Sequence, residues 1–347
     1  MRFAIFILLL VSRGAYPSIL DLPIDASKIN EFWVNTSYST EKFDAFNYSE
    51  KVSSTTKFDN ELSVNLGFNY NTNYKLSDYT IISRGSIFYR TLSVDRTVEP
   101  KSLEVDQYGL AIKLQLMDED NSNGFEFGFY HSKFPNKKFH KYQIGNVIFG
   151  EDIVLYDPTT LKPLPLLEIE NKEIGTSFHY LTKLTPHKPL HFSIGYRLSE
   201  ITPEVDSRLF HIKDENFLDM EVNGSAIRDH ISTLKRKSPQ NDKWYEHIFD
   251  VKLIYLLSFN EKLKGITALS GYYVTESNYE QGYKEKFNAT VDARLMYSLT
   301  NNTSIFASWH AASNYTLGIY PGTYNQQTAS FFGHPYSYLS AGVSVDF

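Results

Sequence analysis

The chain contains no cysteine, which excludes a disulfide scaffold, a cysteine-based zinc site and lipid attachment through an N-terminal cysteine. Long apolar runs are also missing. Beyond the N-terminus no window approaches the roughly 18 apolar residues that a membrane-crossing helix needs, so any passage through a membrane must be made by strands. Charge of one sign is scarce: 34 Lys and Arg stand against 40 Asp and Glu, a net charge of −6, scattered without a basic stripe. Nucleic acid is therefore not an expected partner. Tryptophan is rare at three residues, but 25 Tyr and 25 Phe are present, and a tyrosine ring suits places where one end is dry and the other wet. Gly/Ser linkers, internal repeats and low-complexity tracts are absent, so residues 16–347 read as one domain.

Met1 and Arg2 precede an apolar run from Phe3 to Val11. One positive charge followed by a short apolar core is the pattern of a secretory signal peptide. Ser12 and Gly14 supply small residues at the −3 and −1 positions, placing the signal at residues 1–15 and the mature start near Ala15 or Tyr16.

Period-two alternation dominates the remainder, as it does where successive side chains of a strand point to opposite faces. Leu62, Val64, Leu66, Phe68 and Tyr70 share one face, with Ser63, Asn65, Gly67 and Asn69 on the other. The same split recurs around Tyr108 to Leu116, Leu190 to Leu198, Phe249 to Leu257 and Phe287 to Leu299. These runs exceed the usual five or six residues of soluble sheets and fit the roughly 9 to 11 that a tilted membrane strand requires. Weaker candidates bring the expected number to about twelve, within ten to fourteen, and the connections alternate between short polar turns and long loops. That alternation, with both ends of the chain on the short-turn side, predicts an all-β, transmembrane, antiparallel up-and-down barrel, and aromatics near the predicted strand ends, including Phe32, Trp33, Tyr70, Tyr74, Tyr79, Trp244, Tyr245, Trp309, Tyr336 and Tyr338, are candidates for its interfacial girdles. Long outer loops are expected near 133–172 and 200–245. The first is apolar enough to fold inward. The second carries Phe217, Met220, Ile227, Ile231 and Leu234 at helical spacing.

The last residues, YSYLSAGVSVDF, turn Leu339, Ala341, Val343, Val345 and Phe347 to one face. Tyr338, Val343, Val345 and the terminal Phe347 together resemble the C-terminal assembly signal of bacterial outer-membrane β-barrel proteins. The resemblance is to the porin-like architecture along the whole mature chain and not to one family. It implies export to the bacterial outer membrane, contact with outer-membrane lipids, and assembly by the barrel-assembly machinery.

Inward phase falls on Arg84, Arg90, Lys113, Glu126, Arg197, Asp250, Lys252, Asp292 and Arg294. Charge rings in a narrow low-dielectric passage select ions by sign, so these are the candidate lumen or constriction residues of a passive channel for small solutes. Alternatively, opposite charges pair across strands and fill the lumen, leaving a closed barrel that acts as a surface adhesin or structural protein. Catalysis is not expected. The candidate for a lipid hydrolase is His131 beside Ser132, and adjacent strand residues face opposite ways. His179, His187 and His191 read as surface histidines rather than metal ligands, and no cofactor or metal is expected.

Overall fold

The computed structural model describes residues 31–39, 43–44, 56–76, 78–96, 103–118, 122–139, 142–144, 147–149, 166–184, 189–222, 224–237, 243–277, 286–312 and 336–346. Twelve strands form the barrel. They are β1 (Glu31–Ser39), β2 (Thr56–Leu76), β3 (Tyr79–Arg96), β4 (Leu103–Asp118), β5 (Asn123–Phe139), β6 (Leu167–Lys183), β7 (Leu190–Ser207), β8 (Trp244–Ser258), β9 (Leu263–Ser277), β10 (Phe287–Ser298), β11 (Thr303–Ala312) and β12 (Tyr336–Asp346). Each pairs antiparallel with its chain neighbours, and β1 closes the ring by pairing with both β2 and β12. A two-residue strand, Phe43–Asp44, adds to the outward end of β2. Closure gives every strand a partner on both sides, which is what permits a sheet to stand in hydrocarbon.

The alternation becomes two surfaces. Val64, Leu66, Phe68 and Tyr70, then Phe249, Val251, Leu253 and Tyr255, then Leu339, Val343 and Val345 lie on the outside and are exposed. Residues between them point inward and are buried, among them Lys252, Ile254, Asn288, Asp292, Arg294, Ser340 and Ser344. Leu110 and Ala289 share the outward phase but are covered. Trp33 and Trp244, expected in an interfacial girdle, are instead buried on the inward phase. Trp309 and Tyr70 do face outward.

Both long loops are shorter than the alternation implied. β5 and β6 carry residues 133–139 and 167–172 into strand, and β7 extends to Ser207. Here β5, β6 and β7 rise above their neighbours: β4 pairs with β5 only to Lys133 and β7 with β8 only to Trp244, whereas β6 stays paired with both partners to Leu167. The polar outer residues of this projection hide the period that marks the apolar part of each strand. Its two free edges carry Pro135, beside a register shift, and Pro203. Proline and bulges blunt edges against stray pairing. Neither loop adds a barrel strand among the described residues; the pieces Tyr142–Ile144 and Val147–Phe149 pair only with each other.

Helical spacing in the second loop resolves into a one-turn helix, Glu215–Asp219, and α1 (Ile227–Lys237). Asp214 caps the first by accepting from Asn216 N and Phe217 N. Arg228 bonds Glu215 and Asp219 and so ties the helices together. Those bonds, Asp219 first, raise the pKa of its guanidinium above the ordinary value. Ile227 and Ile231 are buried, as is Leu209 in the neighbouring turn Arg208–His211.

Trp33 is paired in register with Gly67 of β2, and its indole lies where a β-carbon on Gly67 would sit. Gly67→Val must therefore displace the ring, at an expected cost of about 1–3 kcal/mol. Gly271→Ala, whose added carbon meets nothing nearer than 3.5 Å, should leave the urea midpoint of micelle-bound protein close to wild type.

Candidate functional site: the charged lumen

One row of inward side chains runs around half of the barrel at a common level. Register pairs Arg84 of β3 with Lys113 of β4. Two cations directly opposite each other repel, and Glu126 of β5 resolves the conflict. Its carboxylate lies 3.3 Å from Lys113 Nζ and 4.0 Å from Arg84, while Arg84 also donates to Gln115 at 2.5 Å. Glu126 pairs in register with His179 of β6, at 3.8 Å, and the other face of that imidazole reaches Asp250 of β8 at 3.1 Å.

His179 and Asp250 stand two strands apart. Between them, on β7, is Gly195, in register with both. A β-carbon there would occupy the space of the His179 ring, so glycine is what lets the ring lie along the wall and bridge to β8. The device recurs toward the outward end. Tyr130 of β5 lies across Gly175 of β6 to meet Ser199 of β7, and its hydroxyl donates to Glu173 at 3.1 Å. Arg197 stacks 5.5 Å from the Tyr130 ring and lies 3.8 Å from Glu246.

The opposite wall follows the same logic. Asp292 of β10 holds His310 of β11 at 2.8 Å. Arg294 lies over the Phe306 ring at 4.0 Å. Lys252 projects among Asp250, Asp292, Glu126 and Lys113. Arg84, Glu126, Glu173, His179, Arg197, Glu246, Lys252, Asp292, Arg294 and His310 are each only 2–8% exposed. A buried charge is tolerable only when paired, and cations and carboxylates interleave here.

Eight of the nine charges assigned to the lumen from sequence lie on the inward phase; the side chain of Arg90 lies outside the described residues. Glu173, Glu246, Tyr130, His179 and His310 join them, although alternation alone had not singled them out for the lumen. His179 is a correction. It is a buried bridge between two carboxylates rather than a surface histidine, because β6 sets it on the inward phase. His191 shares that phase and is half-buried, and His187 lies outside the described residues. His131 and Ser132 do face opposite ways, with Ser132 buried inward and His131 bonded to the Glu173 carbonyl. In the C-terminal strand Val343 and Val345 face outward, but Tyr338 pairs with His310 of the lumen set, out of phase with the two valines. Phe347 lies outside the described residues.

A second concavity of about 260 Å³ sits at the outward end, lined by Glu168, Asp206, Ser207, Arg208 and His211. Among the described residues no group of three or more His, Asp or Glu is arranged to hold a metal ion.

Removing one member of the row should be costly because its partners stay buried. Glu126→Ala is expected to lower unfolding stability by about 3–5 kcal/mol. The exposed Lys138–Glu168 pair is the control, and Lys138→Ala should change stability by under about 1 kcal/mol. Reversible urea titration in micelles reads both.

No protein-family model and no curated protein sequence matches the chain. Solved structures match its shape. The translocator domain of the autotransporter NalP from Neisseria meningitidis superposes with a TM-score of 0.53 at 9% identity, covering 93% of this chain and 91% of that one. The β domain of the Bordetella autotransporter BrkA gives 0.51 at 8% identity, covering 92% and 100%. An outer-membrane channel from Pseudomonas putida F1 gives 0.45 at 11% identity, covering 94% and 98%. At such identities the likeness shows the fold alone, and the fold is that of bacterial outer-membrane β-barrels.

Proposed function

We propose that the chain is an integral protein of the bacterial outer membrane whose lumen is closed at rest and whose work is done at its outward end. Export by residues 1–15, contact with outer-membrane lipids and assembly through the last strand by the barrel-assembly machinery belong to the same proposal. The outward apolar belt supports membrane residence, since its exposed Phe, Leu, Val and Tyr side chains would be costly in water but suit a bilayer.

Closure rests on one observation: the lumen charges are buried or half-buried, and those from Arg84 and Lys113 through Glu126 and His179 to Asp250 are linked in a continuous series of ion pairs. A water-filled constriction would leave these groups wet, because hydration is what makes an ion's passage affordable. Here carboxylate, imidazole and guanidinium replace water for one another across six consecutive strands, β3 to β8. Ion flow through this row would have to part several buried pairs at once. The reading therefore places the passive channel second and a surface-acting barrel first. At the outward end stand the three-strand projection and the paired helices, which suit a structural or adhesive role.

Planar-bilayer recording of the purified, refolded protein tests the order of the two readings. Wild-type protein should insert without discrete conductance steps, and Glu126→Ala combined with Asp250→Ala should introduce them. Regular wild-type steps with a defined reversal potential would restore the passive channel.

A further inference from the structure

On the outer surface, away from the lumen, three polar side chains from three strands meet in a line. His247 of β8 is bonded through Nδ1 to the Tyr196 hydroxyl of β7 at 2.7 Å. Through Nε2 it is bonded to Ser277 Oγ of β9 at 3.2 Å. All three lie on the outward phase: Tyr196 pairs in register with exposed Phe249, and His247 lies two residues from it on the same face. Ser277 is the last residue of β9, opposite Tyr245, and Thr275 lies directly opposite His247 on the same face. Each of the three is half-buried, neither sealed in a core nor fully in solvent.

Their height is as informative as their contacts. Toward the middle of the barrel the next outward residues are Phe249 and Tyr273, both exposed members of the apolar belt. Toward the long-connection end Leu198 and Tyr245 come next, then Glu200 and Lys243, paired at 2.7 Å, with the Tyr245 hydroxyl on Glu200 at 3.3 Å. The trio therefore sits where apolar wall gives way to charge, the level of ester linkages in the leaflet at the outward end. An ionisable group on a lipid-facing wall is rare without a task. A hydroxyl, an imidazole with both nitrogens engaged, and a third group that fixes the ring are the parts of an activated serine.

We propose that Ser277, His247 and Tyr196 form a hydrolytic site for long-chain acyl esters of lipids in the outer leaflet. Tyr196 oxygen accepts from His247 Nδ1–H, which leaves Nε2 free to accept the Ser277 proton. Ser277 Oγ attacks the ester carbonyl carbon as its proton passes to Nε2. The bond from that carbon to the alcohol oxygen then breaks, and the departing alkoxide takes the proton from Nε2. Water entering from the outside gives a proton to Nε2 and attacks the acyl-serine, and Ser277 leaves with that proton as the fatty acid is released. One ester and one water become one acid and one alcohol. Ser277 and His247 are the catalytic residues, Tyr196 is a positioning residue, Phe249 and Tyr273 offer the surface along which an acyl chain lies, and Thr275 places a second hydroxyl beside the nucleophile. The site is independent of whether the lumen conducts, so a failure here leaves the closed-lumen reading standing.

Refolded full-length protein, its folding checked by heat-modifiable migration, is treated with a fluorophosphonate probe. It is assayed separately for fatty-acid release from phospholipid vesicles and from lipopolysaccharide aggregates. Labelling at Ser277 with release from one lipid is expected, and which lipid responds identifies the source of the ester. Folded Ser277→Ala should lose both signals, and His247→Asn should lower release by about 10²–10⁴-fold. Tyr196→Phe should lower kcat with KM kept and shift the acidic limb of the pH profile, which loss of packing alone would not do. Folded wild-type protein that is neither labelled nor active on either lipid overturns the proposal, as does activity that survives in folded Ser277→Ala.

Discussion

No backbone N–H or C=O can stand unpaired in hydrocarbon, and the rest of this structure depends on that constraint. It requires the sheet to close, and closure is made by β1, short and paired on both sides. Closing twelve strands then encloses an interior that inward side chains line. Since half of every strand faces that interior, its chemistry decides what the protein can be.

The interior carries a band of charge between apolar clusters, Ile201 with Trp244, Ile248, Tyr272 and Val274 on one side and Ile254 with Ile266 and Ala268 on the other. A purely apolar lumen would make both faces of each strand alike and leave register unspecified, whereas inward charges distinguish the faces where they occur. The cost is that each charge needs a partner within a few ångströms. Arg84 and Lys113 face one another and require Glu126. Glu126 continues to His179, and His179 reaches Asp250 only because Gly195 has no side chain. The chain thus uses glycine at a lumen position to let a ring from one strand serve a third strand. Tyr130 and Gly175 repeat the arrangement a little higher.

How much of this was legible in the sequence follows from the distances involved. Strand phase is local, and Leu62 to Tyr70 or Phe249 to Leu257 announce it within nine residues. That is why twelve strands, and the inward assignment of Arg84 through Arg294, could be read directly. Strand ends were less legible where the outward face turned polar, as in β5 to β7, because charge on both faces erases the period. Trp33 and Trp244 were misplaced by composition, since tryptophan's fondness for interfaces outweighed their phase. The contact of Tyr196, His247 and Ser277 was beyond reach for a different reason. Only the register of three strands brings those residues together, Tyr196 across the long connection between β7 and β8 and Ser277 from the far end of the β8–β9 hairpin, and the search for a nucleophile beside a histidine in sequence led to His131 and Ser132, which face apart.

The central claim is that paired charges keep water out of the lumen, and the absence of cysteine makes it directly measurable. A single thiol is introduced by Ser193→Cys, at an inward position beside Lys252, or by Lys138→Cys on the outward projection. Each protein, reconstituted in vesicles, is exposed to a membrane-impermeant maleimide from both sides. The account predicts prompt labelling at position 138 and none at 193 until the barrel is unfolded. Equally fast labelling at 193 would mean a wet passage through the charged row and would contradict it.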